Sequence, residues 1–115
     1  MDQGTLARLE DQEELAPPQH KNFVTRTLLT KAVNPALSLH VSEIRPGGEI
    51  ALHHHEDRSE TFYITGGKAV ATMGDKEVEI GPGTCGHAPI GVPHGMKNVG
   101  DEPVTMIAIF TPPLV

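Results

Sequence analysis

The stretch Gly47–Gly67, GGEIALHHHEDRSETFYITGG, decides the fold because it reads as two short strands joined by a polar loop. Glu49–His55 is the first predicted strand and Glu56–Ser59 is the loop. Glu60–Thr65 is the second predicted strand. Its side chains are expected to alternate between the two faces of the strand, and two glycines follow it. A loop of this length predicts that the second strand returns antiparallel beside the first.

The histidines of this stretch are expected on opposite faces of the first strand. Residues two apart share a face, so His53 and His55 point together with Cα atoms about 6.6 Å apart, and His54 points away. Two imidazoles at that spacing can reach one metal ion at about 2.1 Å. Glu60 opens the facing strand on the same side as Phe62, where a carboxylate is costly to bury unless it is paired or bound to metal. A solvated, histidine-rich loop is the alternative that these residues leave open.

A further histidine, His94, lies in the turn-rich stretch PIGVPHGMKN. If the sheet closes on itself, His94 enters the same interior as the two histidines and the glutamate. Three neutral imidazoles and one carboxylate suit Mn, Fe, Ni, Co, Cu or Zn better than Mg or Ca. This set predicts one divalent transition metal per chain, against the alternative of a surface loop and an unrelated histidine.

The rest of the chain predicts an all-β domain. The 115 residues include 12 Gly and 10 Pro, and turn signals recur every eight to twelve residues between about nine short strands, as in a β-sandwich or barrel. Arg45–Gly48 is predicted as one of these turns. Residues 1–20 differ in composition and predict a tail or a short helix that ends at Pro17-Pro18. The predicted barrel domain therefore covers residues 21–115.

Charge and cysteine content exclude several classes of protein. The net charge is −6 and the sequence pI about 5.5, and no basic stripe is present, so a nucleic acid partner is not expected. The chain contains no run of 18 apolar residues that could span a membrane, so a membrane partner is not expected. Cys85 is the only cysteine, which excludes an intramolecular disulfide framework and favours a reducing compartment. The N-terminus lacks the features of a signal peptide, and we expect a cytoplasmic protein.

Two motifs in this sequence resemble those of the cupin superfamily. The first cupin motif, G-x5-H-x-H-x(3,4)-E-x6-G, is met at Gly47, His53, His55, Glu60 and Gly67. The second, G-x5-P-x-G-x2-H-x3-N, is met at Gly83, Pro89, Gly91, His94 and Asn98. Fifteen residues separate the motifs, and together they span residues 47–98, close to half of the chain.

The resemblance implies a small single-domain cupin with a double-stranded β-helix (jelly-roll) barrel. It implies that His53, His55, Glu60 and His94 ligate the metal, and that the protein is a homodimer. Related sites belong to dioxygenases, isomerases, decarboxylases and lyases. The resemblance therefore favours a metal-dependent enzyme that acts on a small organic molecule, with dioxygenases among the classes it implies. A non-catalytic cupin that binds or senses a small molecule is the alternative.

Further residues are expected near the metal. Glu60 either remains a ligand or detaches to act as a catalytic base. Phe62 and Met96 are candidates for substrate contact, since Phe62 shares a face with Glu60 and Met96 follows His94 by two residues, with ordinary core packing as the alternative. His87 is a third candidate for substrate contact, with a packed or exposed structural histidine as its alternative. Other side chains have structural interpretations. Cys85 is expected as a small buried apolar side chain, Tyr63 faces away from the metal and packs, for example at a dimer contact, and His20 and His40 lie at the surface or in packing.

Overall fold

A computed structural model describes residues 3–115, which form one antiparallel sheet of eight strands. The strands are β1 (Lys21–Leu29), β2 (Ser38–His53), β3 (Ser59–Gly66), β4 (Ala69–Met73), β5 (Lys76–Ile80), β6 (Cys85–Ala88), β7 (His94–Asn98) and β8 (Val104–Thr111). They are hydrogen-bonded in the order β5-β4-β7-β2-β8-β3-β6, and β1 pairs with β2. Because β3 pairs with β6 and β8, and β8 separates it from β2, the prediction that the strand from Glu60 returns beside the strand from Glu49 is wrong. The sheet curls into a jelly-roll barrel, which confirms the predicted fold class.

The long strand β2 turns the sheet through a corner. Its first half, Ser38–Ile44, pairs with β8, and its second half, from Glu49 to His53, pairs with β7. The prediction of a turn at Arg45–Gly48 is therefore wrong, because these residues continue β2 and carry its irregularity. Gly47 adopts a φ of 79°, and at Gly48 an added Cβ would lie 2.6 Å from the carbonyl oxygen of Lys21. The Pro-Gly-Gly sequence thus bends a continuous strand and admits β1.

The barrel interior is filled by side chains that alternate along the strands. On β8, Val104, Met106, Ala108 and Phe110 are buried while the residues between them are partly exposed. The contiguous core is built from aliphatic and Met side chains with a single aromatic ring, namely Ile44, Phe62, Ile64, Ala69, Ala71, Met96, Val104 and Met106. The chain has no Trp, and aliphatic and Met side chains therefore supply most of the apolar burial.

The N-terminal segment lies along the sheet rather than forming an α-helix. Within residues 3–115, helical structure is limited to one 3₁₀ turn at Leu9–Asp11. The backbones of Leu15 and Thr25 form an isolated antiparallel bridge with hydrogen bonds of 2.8 and 2.9 Å. No helix within residues 3–115 is long and apolar enough to cross a membrane. The boundary proposed at residue 20 stays a prediction.

Candidate metal centre

Three histidines and one glutamate converge at one end of the barrel. His53 ends β2, His55 follows it, Glu60 lies on β3, and His94 begins β7. One possible ligand atom from each residue lies within 4.8 Å of those of the other three. Because His53 and His94 are direct partners across β2 and β7, their ring centroids are 4.4 Å apart. The two motifs, distant in sequence, are therefore joined by strand pairing.

Backbone carbonyl groups orient two of the imidazoles. His53 Nδ1 lies 2.7 Å from the carbonyl oxygen of Ala51, and His94 Nδ1 lies 3.0 Å from that of Val92. A carbonyl oxygen can only accept, so each Nδ1 carries the hydrogen. In the neutral ring the lone pair is then on Nε2. A histidine that ligates metal typically donates its other N–H to a carbonyl or carboxylate in this way.

The arrangement of acceptors fits a cation. Glu60 Oε1 lies 3.2 Å from His55 Nε2 and 3.1 Å from His94 Nε2. For a neutral His94, its Nε2 lone pair would face a carboxylate oxygen, and two acceptors at this distance repel unless a proton or a metal ion lies between them. Imidazole nitrogens and one carboxylate are the donor set of transition metals. The residues present therefore fit the metal implied by the motifs.

Burial and pairing shift the ionisation of this cluster. Burial opposes ionisation of Glu60, but the hydrogen bonds with His55 and His94 outweigh it and lower the pKa of the carboxyl group to about 2. Burial also opposes protonation of His94, yet its bond with Glu60 raises the pKa of this imidazole. At His53 burial dominates and lowers the pKa, helped by the neighbouring His94 and His55. Glu60 is thus ionised at neutral pH.

The cluster opens into a cavity of about 130 Å³. His53, His55 and Glu60 line it on one side. The other lining residues are mainly apolar, with a few polar groups: Pro17, Gln19, His20, Phe23, Thr25, His40, Ser42, Ile50, Met106, Ala108, Phe110 and Leu114. Such a lining, apolar with few convergent polar groups, is typical of a small-molecule site.

The expected substrate contacts divide into two groups. Phe62 and Met96 are buried and line a separate space of about 20 Å³ beside Glu60 and His94. His87 is exposed on β6, pairs with Thr61 across the strands, and its Nδ1 lies 2.8 Å from Thr61 Oγ1. Thr61 alternates with Glu60, so the structure places His87 on the outer face and does not bring it to the cluster. The alternative, an exposed structural histidine, describes the position of His87.

The outward-facing residues agree with the alternation predicted for the strands. His54 is exposed and its ring approaches Glu56 at 3.5 Å. Tyr63 faces away from the cluster, as predicted, and is 47% exposed. Cys85 pairs with Tyr63 across β3 and β6 and is also exposed, which contradicts its interpretation as a buried apolar side chain.

Two histidines of the cavity were not found as site residues from the sequence. His20 Nδ1 accepts the backbone N–H of Ala51 at 3.0 Å, and its ring centroid lies 5.3 Å from that of His53. His40 is buried, with Nδ1 3.0 Å from Thr27 Oγ1 and Nε2 2.9 Å from Ser38 Oγ. Burial is the main cause that lowers the pKa of both imidazoles. Neither belongs to a motif; only the strand alternation on β2 could have indicated that His40 faces inward.

Comparison with known proteins agrees with this geometry. Residues 40–110 match the family model described as a cupin domain. An L-ectoine synthase of Bordetella petrii is 31% identical over 93 residues, covering 80% of this chain and 69% of that protein. The oxalate decarboxylase OxdC of Bacillus subtilis is 27% identical over 108 residues, covering 90% of this chain and 28% of that protein.

A solved structure shares the complete architecture. The crystal structure of a predicted oxalate decarboxylase from Thermotoga maritima superposes with a TM-score of 0.84 at 25% identity. The match covers 93% of this chain and 98% of that one. The fold is therefore shared over nearly the full length of both chains.

Proposed function

Because the chain belongs to the cupin family, we propose that it is a metal-dependent enzyme acting on a small organic molecule. The proposed ligands of one divalent transition metal per chain are His53, His55, Glu60 and His94. Such a metal supplies Lewis acidity toward a bound oxygen atom, or dioxygen chemistry if it is iron. We further propose the homodimer and the cytoplasmic location that the sequence predicts.

The observation that carries this proposal is the orientation of the acceptors in the cluster. The Nδ1–H groups of His53 and His94 are engaged by backbone carbonyls, which leaves both Nε2 atoms for an ion beside the Glu60 carboxylate. A histidine-rich surface loop would not hold its rings by backbone hydrogen bonds around a carboxylate. This prearrangement reduces the cost of ordering the ligands when metal binds.

Glu60 is the proposed group at the reacting centre. A carboxyl group with a pKa of about 2 stays ionised at neutral pH but is a weak base. Its first role is therefore that of a ligand, and a role as base requires that it leave the metal. Phe62 and Met96 share a small space with Glu60 and His94, and we keep the substrate contact that the sequence predicts for them as part of this proposal.

The dimensions of the cavity support a small, partly apolar substrate. A volume of about 130 Å³ accommodates a molecule of few non-hydrogen atoms. A sugar would require several hydrogen-bonding partners, whereas the lining is mainly apolar. The named relatives include a synthase and a decarboxylase, which supports turnover over binding alone without selecting the reaction.

Elemental analysis of untagged protein, followed by activity screens, tests this proposal. We expect about one transition metal per chain, lost in the double variant His53→Ala/His55→Ala and kept in the matched control His54→Ala, whose side chain faces outward. Bound iron directs the screen to dioxygen uptake, and zinc or manganese to isomerase, decarboxylase and lyase substrates. Metal retained by the folded double variant contradicts the ligand assignment. Stoichiometric metal and ligand binding without turnover would instead support the binding module.

A further inference from the structure

We propose that His20 contacts the substrate in the metal-centre cavity, donating its Nε2–H to an oxygen atom of a small carboxylic acid. The inference rests on the proposed function, since the cavity is the one beside the proposed ligands. It adds a specific hydrogen-bond donor and a class of ligand. It also gives a role to the segment preceding β1, for which the sequence indicated no chemistry.

The tautomer of His20 is fixed by a backbone hydrogen bond. The N–H of Ala51 lies 3.0 Å from His20 Nδ1, and a backbone N–H can only donate. Nδ1 is therefore an acceptor without a hydrogen, and the neutral ring carries its hydrogen on Nε2. Ala51 also accepts from His53 Nδ1 through its carbonyl oxygen. One residue of β2 thus orients both a proposed metal ligand and the His20 ring.

The Nε2–H of His20 is available to a ligand. Among residues 3–115, no side chain or backbone group accepts a hydrogen bond from it, and no fully buried side-chain nitrogen or oxygen in this range lacks a partner. Nε2 is therefore not fully buried, while its ring lines the cavity and packs edge-on against Phe23 at 5.1 Å between centroids. His40 lines the same cavity, but both of its nitrogens are bonded to hydroxyl groups.

A second donor faces the same space. Thr25 Oγ1 and Ser42 Oγ lie 2.8 Å apart, and both residues line the cavity. Only one hydroxyl hydrogen is used between them, so the other remains free to donate. The cavity therefore offers an imidazole N–H and one hydroxyl group as donors.

This combination of donors selects a carboxylic acid. Two donors in the same cavity as a proposed cation match the oxygen acceptors of a carboxylate, and hydrogen bonds to a charged acceptor are stronger than those between neutral groups. Phe23, Ile50 and Leu114 supply apolar contacts for a short aliphatic chain. The volume of about 130 Å³ limits that chain to a few carbons. Isobutyrate has these properties and serves as the probe, with uncharged isobutyramide as its near-isosteric control.

The substitution His20→Asn separates the proposed contact from the structural role of His20. The Asn side-chain oxygen can still accept the N–H of Ala51, whereas the Nε2 donor is lost. We expect unchanged metal content and Ala51 amide protection. Isobutyrate affinity for the metal-loaded protein should fall on the order of tenfold by calorimetry, and isobutyramide affinity should hardly change. His54→Asn, on the outer face, should behave as wild type.

Two further measurements complete the test. In zinc-loaded wild-type protein, isobutyrate should shift the ¹⁵N resonance of His20 Nε2 more than that of Nδ1. If His20→Asn does not fold, two other variants replace it. His20→Gln retains an amide donor near the position of Nε2 and should bind isobutyrate nearly as tightly as wild type, whereas His20→Phe, which has no donor, should bind it more weakly. Metal-loaded wild type that does not bind isobutyrate, or His20→Asn that binds it as tightly as wild type, overturns this inference alone. Wild type that binds no metal overturns the proposed function as well.

Discussion

At the residue scale, the chemistry of the cluster depends on which nitrogen of each histidine carries hydrogen. The H-x-H spacing and the second motif predicted which four residues meet, and the structure brings them within 4.8 Å. Spacing could not predict the tautomers, because these depend on the carbonyl groups of Ala51 and Val92. It also could not reveal His20, which reaches the site only through its hydrogen bond to a residue 31 positions away.

Replacing the carboxylate of Glu60 tests its role as a ligand. Glu60→Gln keeps the shape of the side chain but removes the charge that faces His55 and His94. We expect metal affinity to fall by at least on the order of tenfold, because even groups that only orient ligands change affinity by this much. Calorimetric titration with zinc measures the change. Affinity equal to that of wild type would exclude Glu60 as a ligand.

At the scale of elements, continuity of β2 positions the site. The strand carries Ser38–Ile44 against β8 and then delivers His53 opposite His94 on β7. The sequence predicted most strands from alternation, but the Pro-Gly-Gly at residues 46–48 gives the same signal for a turn and for a bend within a strand. The sequence does not predict β1, because its side chains show no clear period of two. In the structure most of them are half-buried on both faces of the strand.

The bend in β2 requires a glycine at position 48. In Gly48→Ala the new Cβ would lie 2.6 Å from the Lys21 carbonyl oxygen and 2.8 Å from Asn22 Cβ, so β1 must shift. Overpacking of this kind costs about 1–3 kcal/mol, and we expect the free energy of unfolding in urea to fall by roughly this amount. Gly81→Ala, where the nearest atom lies at 3.9 Å, should change it little. Equal stability of both variants would contradict the close approach.

At the scale of the whole molecule, the cavity is assembled from segments far apart in sequence. The N-terminal segment, β1, β2, β3, β8 and the C-terminal Leu114 all contribute to its lining. Ser38 Oγ accepts the backbone N–H of Leu114 at 2.9 Å, and Arg58 donates to the carbonyl oxygen of Pro113 at 2.9 Å. The barrel was predictable from the motifs and turns. The full lining was not, because it also includes the N-terminal segment, β1 and Leu114, which carry no motif.

The metal-free protein should be most stable near pH 6.5. Burial lowers the pKa of His20, His40 and His53 below the ordinary value of 6.5, so unfolding takes up protons below that pH and stability rises toward it. At His94, burial is outweighed by the bond to Glu60, which raises the pKa above 6.5. The stabilisation from protonated His94 is therefore complete below pH 6.5 and is lost as the pH rises through the raised pKa.

Urea unfolding at several pH values measures this profile. With metal bound, the decline of stability above pH 6.5 should disappear, because the ion takes the place of the proton on His94. The ion also binds more tightly as the pH rises, since fewer protons compete for its ligands. A metal-free protein whose stability keeps rising through about pH 8 would contradict the raised pKa of His94.

The location of the bound metal tests the central claim most directly. We would crystallise the metal-loaded protein and collect anomalous diffraction at the absorption edge of the metal found by elemental analysis. The account predicts one strong anomalous peak per chain, with the Nε2 atoms of His53, His55 and His94 and a carboxylate oxygen of Glu60 each about 2.0–2.2 Å from the ion. A peak elsewhere on the chain, or none in protein supplied with excess metal, would contradict it.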